Sequence, residues 1–313
     1  MRAAQMVVGV DIGGTKTAAA AVDRSGKVHR RLSAPTPALL GADAIIADVS
    51  ALVTAVVGKR PLAAVGVGAA GVVNSEGTII AGNDTFTDWV GTPLRTRLAD
   101  ELGVPVQVNN DVDTHLSGEA WVGSAQGIAN TLLVAIGTGV GAAMLVEGQL
   151  VRGAHHVAGE MGHMPSTSAQ GLRCPCGISG HLEAIAAGPA IHRSYLAAGG
   201  DPTCQDAREV AHRCQEGEPA AIAVIDNAAH AMGIALAQIV TMLDPELIVL
   251  GGSVARMGTR WWARVESDLR AQLIDTIRPV RLTPSQLGAD APLLGAAVNA
   301  WQMLEGRSPH RTR

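Results

Sequence analysis

Between Gly153 and Glu183 the chain gathers two carboxylates, Glu160 and Glu183, four histidines and half of its cysteines into one glycine-interrupted stretch, GAHHVAGEMGHMPSTSAQGLRCPCGISGHLE. Cys174 and Cys176, separated by one proline, have His163 upstream and His181 downstream. Two thiols and two imidazoles can close a tetrahedral zinc site, and a zinc with four protein ligands has no open position at which to activate water. What such a clip would hold in place is open from these residues alone. No helical or strand periodicity is legible before Leu182, so the stretch reads as a loop. Long ordered loops inside compact domains are usually functional.

Glycine-rich turns offer a second kind of chemistry. Val7 to Val10 reads as a buried strand that runs into Asp11-Ile12-Gly13-Gly14-Thr15-Lys16, then a strand over 17–22, a turn over 23–26 and a further strand from Lys27. The P-loop spacing and its following helix are missing. Two glycines after an aspartate still let backbone N–H groups approach an anion closely, and from the residues alone an anion cradle and a plain hairpin turn are equally open. Thr131 to Ile136, Gly137-Thr138-Gly139-Val140-Gly141 and Ala142 to Val146 repeat the pattern, and a strand over 246–250 ends in Gly251-Gly252-Ser253. Gly66-Val-Gly68-Ala-Ala-Gly71 has the spacing of a dinucleotide fingerprint, but a turn over 74–77 and a strand over 78–80 follow it. No helix N-terminus is then available for a pyrophosphate, and that reading is rejected. Asp111 sits where a strand over 104–108 has ended and a helix over 112–121 begins. It is either a ligand residue at the carboxyl end of a strand or a helix cap.

The elements that must position these residues alternate. Helices are predicted over 42–57, 92–102, 182–187, 204–214, 219–243, 258–273 and 293–304, with a buried strand over 63–67. Two meanders, each followed by helix–strand alternation, predict two related α/β halves that face each other, with a polyphosphate ligand between their glycine turns. No low-complexity linker separates them, so the halves are expected to interleave.

Composition excludes several classes. A 313-residue chain that is 47% hydrophobic and 17% charged, with net charge −4, has ample core for about two domains. Aromatics at 2% leave little for base stacking, and the slight acidity argues against a basic nucleic-acid face. The uncharged stretch between Asn130 and Glu147 is short of the roughly 20 residues of a membrane span and is broken by glycines. No signal peptide is legible. A cytoplasmic protein with reduced thiols is expected, without membrane or nucleic-acid partners.

In this order and spacing, Asp11 to Lys16, Asn110-Asp111, Gly137 to Gly141, Gly159-Glu160-Met161-Gly162-His163, Cys174 to Glu183 and Gly251-Gly252-Ser253 resemble the ROK (repressor, open reading frame, kinase) sugar kinases of the actin-like ATPase superfamily. The likeness covers essentially the whole chain. It implies two actin-like (ribonuclease H-like) α/β domains with an active-site cleft between them: a small one over 1–111 completed by the helix 292–306, and a large one over 112–291. It implies ATP and Mg2+ as cofactors beside a structural Zn2+ held by His163, Cys174, Cys176 and His181. By resemblance Asp111 is the general base, and Asp11 orients magnesium through water. The turns of Gly13, Gly14, Thr15 and Lys16 and of Gly137, Thr138 and Gly139 hold phosphates, while Gly251 and Gly252 pass close to the adenosine. Gly71, Asn83, Asn110, Asp111, Glu160, His163 and Glu183 match sugar-binding positions.

Two departures stand out: His181 replaces a cysteine of the family pattern, and Gly68-Ala-Ala-Gly71 lacks the proline often found before its last glycine. The expected activity is phosphorylation of a hexose or N-acetylhexosamine at the 6-hydroxyl, glucose first, because Glu160 matches glucose and N-acetylglucosamine kinases better than N-acetylmannosamine kinases. A ROK transcriptional regulator and a non-catalytic sugar sensor are the alternatives. The regulator would carry a helix-turn-helix ahead of a motif that here begins at Asp11; the sensor would have lost the base or the phosphate turns. A homodimer or homotetramer is implied by the resemblance alone.

Overall fold

The structure, a computed structural model, describes residues 5–82 and 85–306. Along the chain come β1 (Met6–Ile12), β2 (Lys16–Val22), β3 (Val28–Pro35), α1 (Ala42–Val57), β4 (Leu62–Ala69), the short hairpin β5 (Val72–Val73) and β6 (Ile79–Ala81), α2 (Leu94–Leu102), β7 (Val106–Asn110) and α3 (Asp111–Val122). There follow β8 (Thr131–Ile136), β9 (Val140–Val146), β10 (Gln149–Leu150), α4 (Glu183–Ala186), α5 (Gly188–Ala197), α6 (Ala207–Gln215), α7 (Pro219–Leu243), β11 (Leu247–Gly251), α8 (Thr259–Gln272), β12 (Arg281–Pro284) and α9 (Ala291–Leu304).

This is an α/β fold with two five-stranded sheets, ordered β3-β2-β1-β4-β7 and β10-β9-β8-β11-β12. Each places its strands in the same sequence, third, second, first, fourth, fifth, as two related halves require. In the first sheet β1 pairs antiparallel with β2 and parallel with β4, and β4 pairs parallel with β7. By contacts the chain divides into one unit of Met1–Ala129, Ala143–Ala158 and Gln286–Arg313, and a second of Asn130–Ala142 and Gly159–Ser285. Helix α3 packs along α9 within the first unit.

In the first unit β1 is buried on both faces, which suits a strand covered by helices on each side. Val8, Val10 and Ile12 join the core under α1 and α2, whereas Val7 joins Leu293, Ala297 and Trp301 of α9. The α9 side is unusually close-packed. A Cβ at Gly9 would collide with the Leu293 carbonyl oxygen, one at Gly66 with that of Ala296, one at Gly118 with that of Ala291 and one at Gly295 with that of Thr114. Four glycines on β1, β4, α3 and α9 thus bring helix backbone directly onto sheet and helix backbone. The rejected fingerprint glycines have their reason here: Gly66 admits α9, and at Gly68 a Cβ would lie 2.5 Å from Thr114 Oγ1 of α3.

The structure departs from sequence expectation in several elements. Helix α5, not among the predicted helices, follows α4 after Ala187, and Pro189 occupies its first turn, where its missing N–H costs nothing. The predicted helix over 204–214 begins at Ala207 because Asp206 caps it through the amides of Arg208 and Glu209. Strands β10 and β12 were too short or too polar to be legible. Helix α7, 25 residues with mean hydropathy 1.5 in its most apolar window, is long and apolar enough to cross a membrane, which corrects the expectation that no segment suits a span. Its window is 61% buried inside the protein, among α4, α5, α6 and α8.

Gly66→Ala is expected to destabilise the protein by about 3 kcal/mol, the upper range for overpacking, because backbone rather than a side chain must yield. Gly103→Ala, facing open space at φ 66°, is expected to cost about 1 kcal/mol for its left-handed conformation. Urea unfolding of both variants checks this; equal costs would contradict it.

Candidate active site

In the first unit the candidate residues cluster at the carboxyl ends of the parallel strands. Asp11 lies near the end of β1, with Gly68 of β4 beside it in register, and Asn109 of β7 aligns with that same Gly68. Burial, and then the negative charge of Asp111, pushes the Asp11 carboxyl up to about 7, against the opposing pull of Lys16 and Arg31. Asp11 and Asp111 therefore lie close enough to compete for negative charge, which is the situation a cation would relieve.

The turn after β1 is held on both sides. Gly13 N–H donates to the Lys16 carbonyl at 3.1 Å, Thr36 N–H donates to the Thr15 carbonyl, and Thr36 Oγ1 donates to the Gly13 carbonyl at 2.7 Å. Thr15 and Lys16 stand exposed.

Asp111 begins α3 but does not cap it; this corrects the cap alternative. Asn110 is the N-cap, its Oδ1 accepting from Val112 N at 2.8 Å and Asp113 N at 3.4 Å. Its Nδ2 donates to the Gly71 carbonyl at 3.0 Å, so Asn110 has one amide hydrogen left for a ligand. Asp111 Oδ1 accepts from Val112 N at 3.0 Å, and its carbonyl accepts from Thr114 Oγ1. Gly71 needs glycine: its φ is 101°, and a Cβ would stand 2.5 Å from the Ala81 carbonyl oxygen. Asn83 lies outside the described residues.

The second unit assembles the rest. Gly137 N–H donates to the Gly139 carbonyl at 2.9 Å, closing the turn between β8 and β9, and leaves Thr138 exposed at its tip. Gly252, at φ 88°, packs where a Cβ would collide with the Ile136 carbonyl, so the turn of Gly251 and Gly252 lies against the start of the Gly137 turn. Glu183 Oε2 accepts from Val140 N at 2.8 Å, possible because a Cβ at Gly139 would sit 2.7 Å from that oxygen. Burial, together with the Glu183 charge and against the pull of His163, raises the Glu160 carboxyl above the usual range.

His163, Cys174, Cys176 and His181 offer four ligand atoms within 4.8 Å of one another. Cys174 Sγ is 3.7 Å from His163 Nδ1, and Cys176 Sγ is 3.2 Å from His181 Nδ1. Around a tetrahedral zinc with bonds of about 2.0–2.3 Å, ligand atoms stand roughly 3.3–3.8 Å apart, so the set fits the ion. His163 Nε2 points the other way, 3.7 Å from Glu160 Oε2. The loop is tied by two short 3-10 turns, over Met161–His163 and Thr167–Ala169, and by bridges between Pro165 and His181 and between Arg173 and Ser179.

Sequence reasoning passed over Thr85 to Trp89. The chain's single phenylalanine, Phe86, stacks on Trp89 at 5.2 Å, and Trp89 Nε1 donates to the Ala70 carbonyl at 2.9 Å. In a chain with so few aromatics, two within four residues was an available signal.

Residues 7–302 match the model of the ROK family. The glucokinase of Streptomyces coelicolor is 32% identical over 93% of this chain and 96% of its own length. The N-acetylmannosamine kinase of Citrobacter koseri is 30% identical over 93% and 97%. Among solved structures, a ROK family glucokinase from Streptomyces griseus in complex with glucose and AMPPNP superposes with TM-score 0.82 at 30% identity, covering 95% of this chain and 99% of that one. With the fold, the glycine turns and the His–Cys set in place, the chain belongs to the ROK family.

Proposed function

We propose that this ROK-family sugar kinase transfers the γ-phosphoryl group of ATP to the 6-hydroxyl of a hexose, with glucose as first choice and an N-acetylhexosamine second. The observation that carries the reading is the proximity of Asp11 and Asp111 at the strand ends of the first unit, with the Asp11 carboxyl raised to about 7. Asp111 accepts the proton of the 6-hydroxyl as its oxygen bonds to the γ-phosphorus and ADP departs. Phosphoryl transfer leaves a protein little covalent work, so position and charge dominate. Asp11 would hold Mg2+, which when bound would supply charge neutralisation at the phosphates. The turns of Gly13 to Lys16 and Gly137 to Gly139 hold phosphates, and Gly251 with Gly252 passes the adenosine.

Glu160, His163, Glu183, the remaining amide hydrogen of Asn110, Gly71 and Asn83 hold the sugar. The four-ligand zinc clip serves to fix Glu160 and Glu183, since His163 follows the first by three residues and His181 precedes the second by two. Glucose is favoured by the acid at Glu160 and by the glucokinases among the relatives. A dimer or tetramer remains part of the proposal on family resemblance alone.

Asp111→Asn is expected to lower hexose-dependent ADP release by about 10²–10⁴-fold, the usual worth of a general base, while calorimetric sugar affinity changes less than about threefold. Near-normal turnover would show that another group is the base. In a coupled assay over glucose, mannose, N-acetylglucosamine and N-acetylmannosamine, glucose should give the highest kcat/KM; a clear preference for N-acetylmannosamine would overturn the substrate assignment.

Purified protein should contain one zinc per chain, and chelation or His181→Ala should weaken sugar binding at least about tenfold, in the range found when metal-site partners are removed. A zinc-free protein with full activity would refute the clip.

Folded Asp11 keeps its proton to higher pH than an unfolded aspartate, whose pKa is about 4. Its stabilising contribution is therefore full below about pH 4 and is lost as pH rises through about 7. Metal-free protein should lose Tm between about pH 4 and 7, and Asp11→Asn should flatten that slope; an unchanged slope would contradict the buried placement of Asp11.

A further inference from the structure

In the first unit, the segment Thr85–Trp89 touches both turns that the proposed function uses there. A Cβ at Gly14 would lie 2.6 Å from Thr85 Cγ2, so the threonine methyl rests on the phosphate turn. Thr87 N–H donates to the Ala38 carbonyl at 2.9 Å, two residues past Thr36, whose Oγ1 holds the Gly13 carbonyl. Asp88 takes a left-handed φ of 50°, uncommon for a residue with a side chain. That turn places Trp89, 2% exposed and stacked on Phe86, with Nε1 2.9 Å from the Ala70 carbonyl.

The loop around Ala70 is fixed at three points. Ala70 N–H donates to the Ile12 carbonyl, Ala70 O accepts from Trp89, and Gly71 O accepts from Asn110 Nδ2. Asn110 in turn caps the helix that Asp111 begins. A run of bonds thus leads from the Gly13 turn through Thr36, Ala38, Thr87, Trp89, Ala70 and Gly71 to Asn110. The apolar core around Trp89 makes no use of the indole N–H; what the N–H adds is the position of the Ala70 carbonyl.

We propose that Trp89 is a positioning residue: through its indole N–H and the Phe86 stack it holds the Ala70–Gly71 turn in the conformation that receives the sugar. This rests on the sugar-kinase reading for its consequence, not for its geometry. Without the N–H the Ala70 carbonyl is left to find another donor, and the glycine turn, with φ 101° at Gly71, loses one of its three restraints.

Trp89→Phe keeps an aromatic ring, a smaller one, against Phe86 and removes the donor. Hydrogen exchange followed by mass spectrometry on the unliganded protein should show faster exchange in peptides covering residues 70–73, by roughly fivefold, the worth of one hydrogen bond, with β4 and α1 unchanged. In steady-state assays the sugar KM should rise by a similar factor, while kcat and the KM for ATP move less than about twofold. Unchanged exchange at 70–73, or a lowered Tm with an unchanged sugar KM, would make Trp89 ordinary core and overturn the proposal. Because exchange is read without substrate, a parent protein that phosphorylates no hexose would defeat the sugar-kinase reading while leaving the exchange result to decide the role of Trp89.

Discussion

The first unit depends on backbone-to-backbone packing that only glycine permits. Helix α9 reaches β1 and β4 through Gly9 and Gly66 and reaches α3 through Gly118 and Gly295. Any side chain at these positions would push the helix off the sheet by more than a close-packed interior can absorb. That contact holds β1 and α3 against α9, and these two elements carry Asp11 and Asp111. Two carboxylates held near each other in a half-buried place are costly without a cation, and rigid packing is what keeps them from drifting apart. The proposed chemistry of the strand ends is therefore bound to helix packing on one face of the sheet.

The second unit uses a different device for the same end. Its candidate acids lie on a segment with little regular structure, where backbone entropy opposes any fixed orientation. Each acid has a partner in the unit. Glu183 is bonded to the amide of Val140 and lies two residues after His181; Glu160 faces His163, whose other nitrogen looks toward Cys174. A closed metal site would convert binding free energy into order of that segment, so the zinc proposed here is an architectural element. His181 in place of a family cysteine preserves the donor count and the spacing, and its Nδ1 sits 3.2 Å from Cys176 Sγ.

Much of this was legible in the sequence because it is local. Strand–glycine–strand repeats, the His–Cys set and the Asn110-Asp111 junction are read within a few residues, and the two sheets carry the repeated topology they imply. The illegible parts are those whose partner is distant along the chain. The spacing of Gly66 and Gly68 suggested a nucleotide motif, yet their cause is α9 and Thr114. Asn110, not Asp111, takes the cap, and its amide also reaches the distant Gly71 carbonyl. The strap of Thr85 to Trp89 has no periodicity and only its two aromatics to announce it. Apolar α7 passed as an ordinary helix, and its composition alone does not distinguish a buried core helix from a span.

The central claim is that phosphate moves from ATP to the 6-oxygen of a hexose. The product itself tests that most directly: phosphorus-31 NMR of a reaction containing glucose, ATP and Mg2+. One new phosphomonoester is expected, its phosphorus coupled to the two protons of the C6 methylene and formed one for one with ADP. A phosphate coupled to the anomeric proton, or ADP formed with inorganic phosphate and no sugar ester, would contradict it.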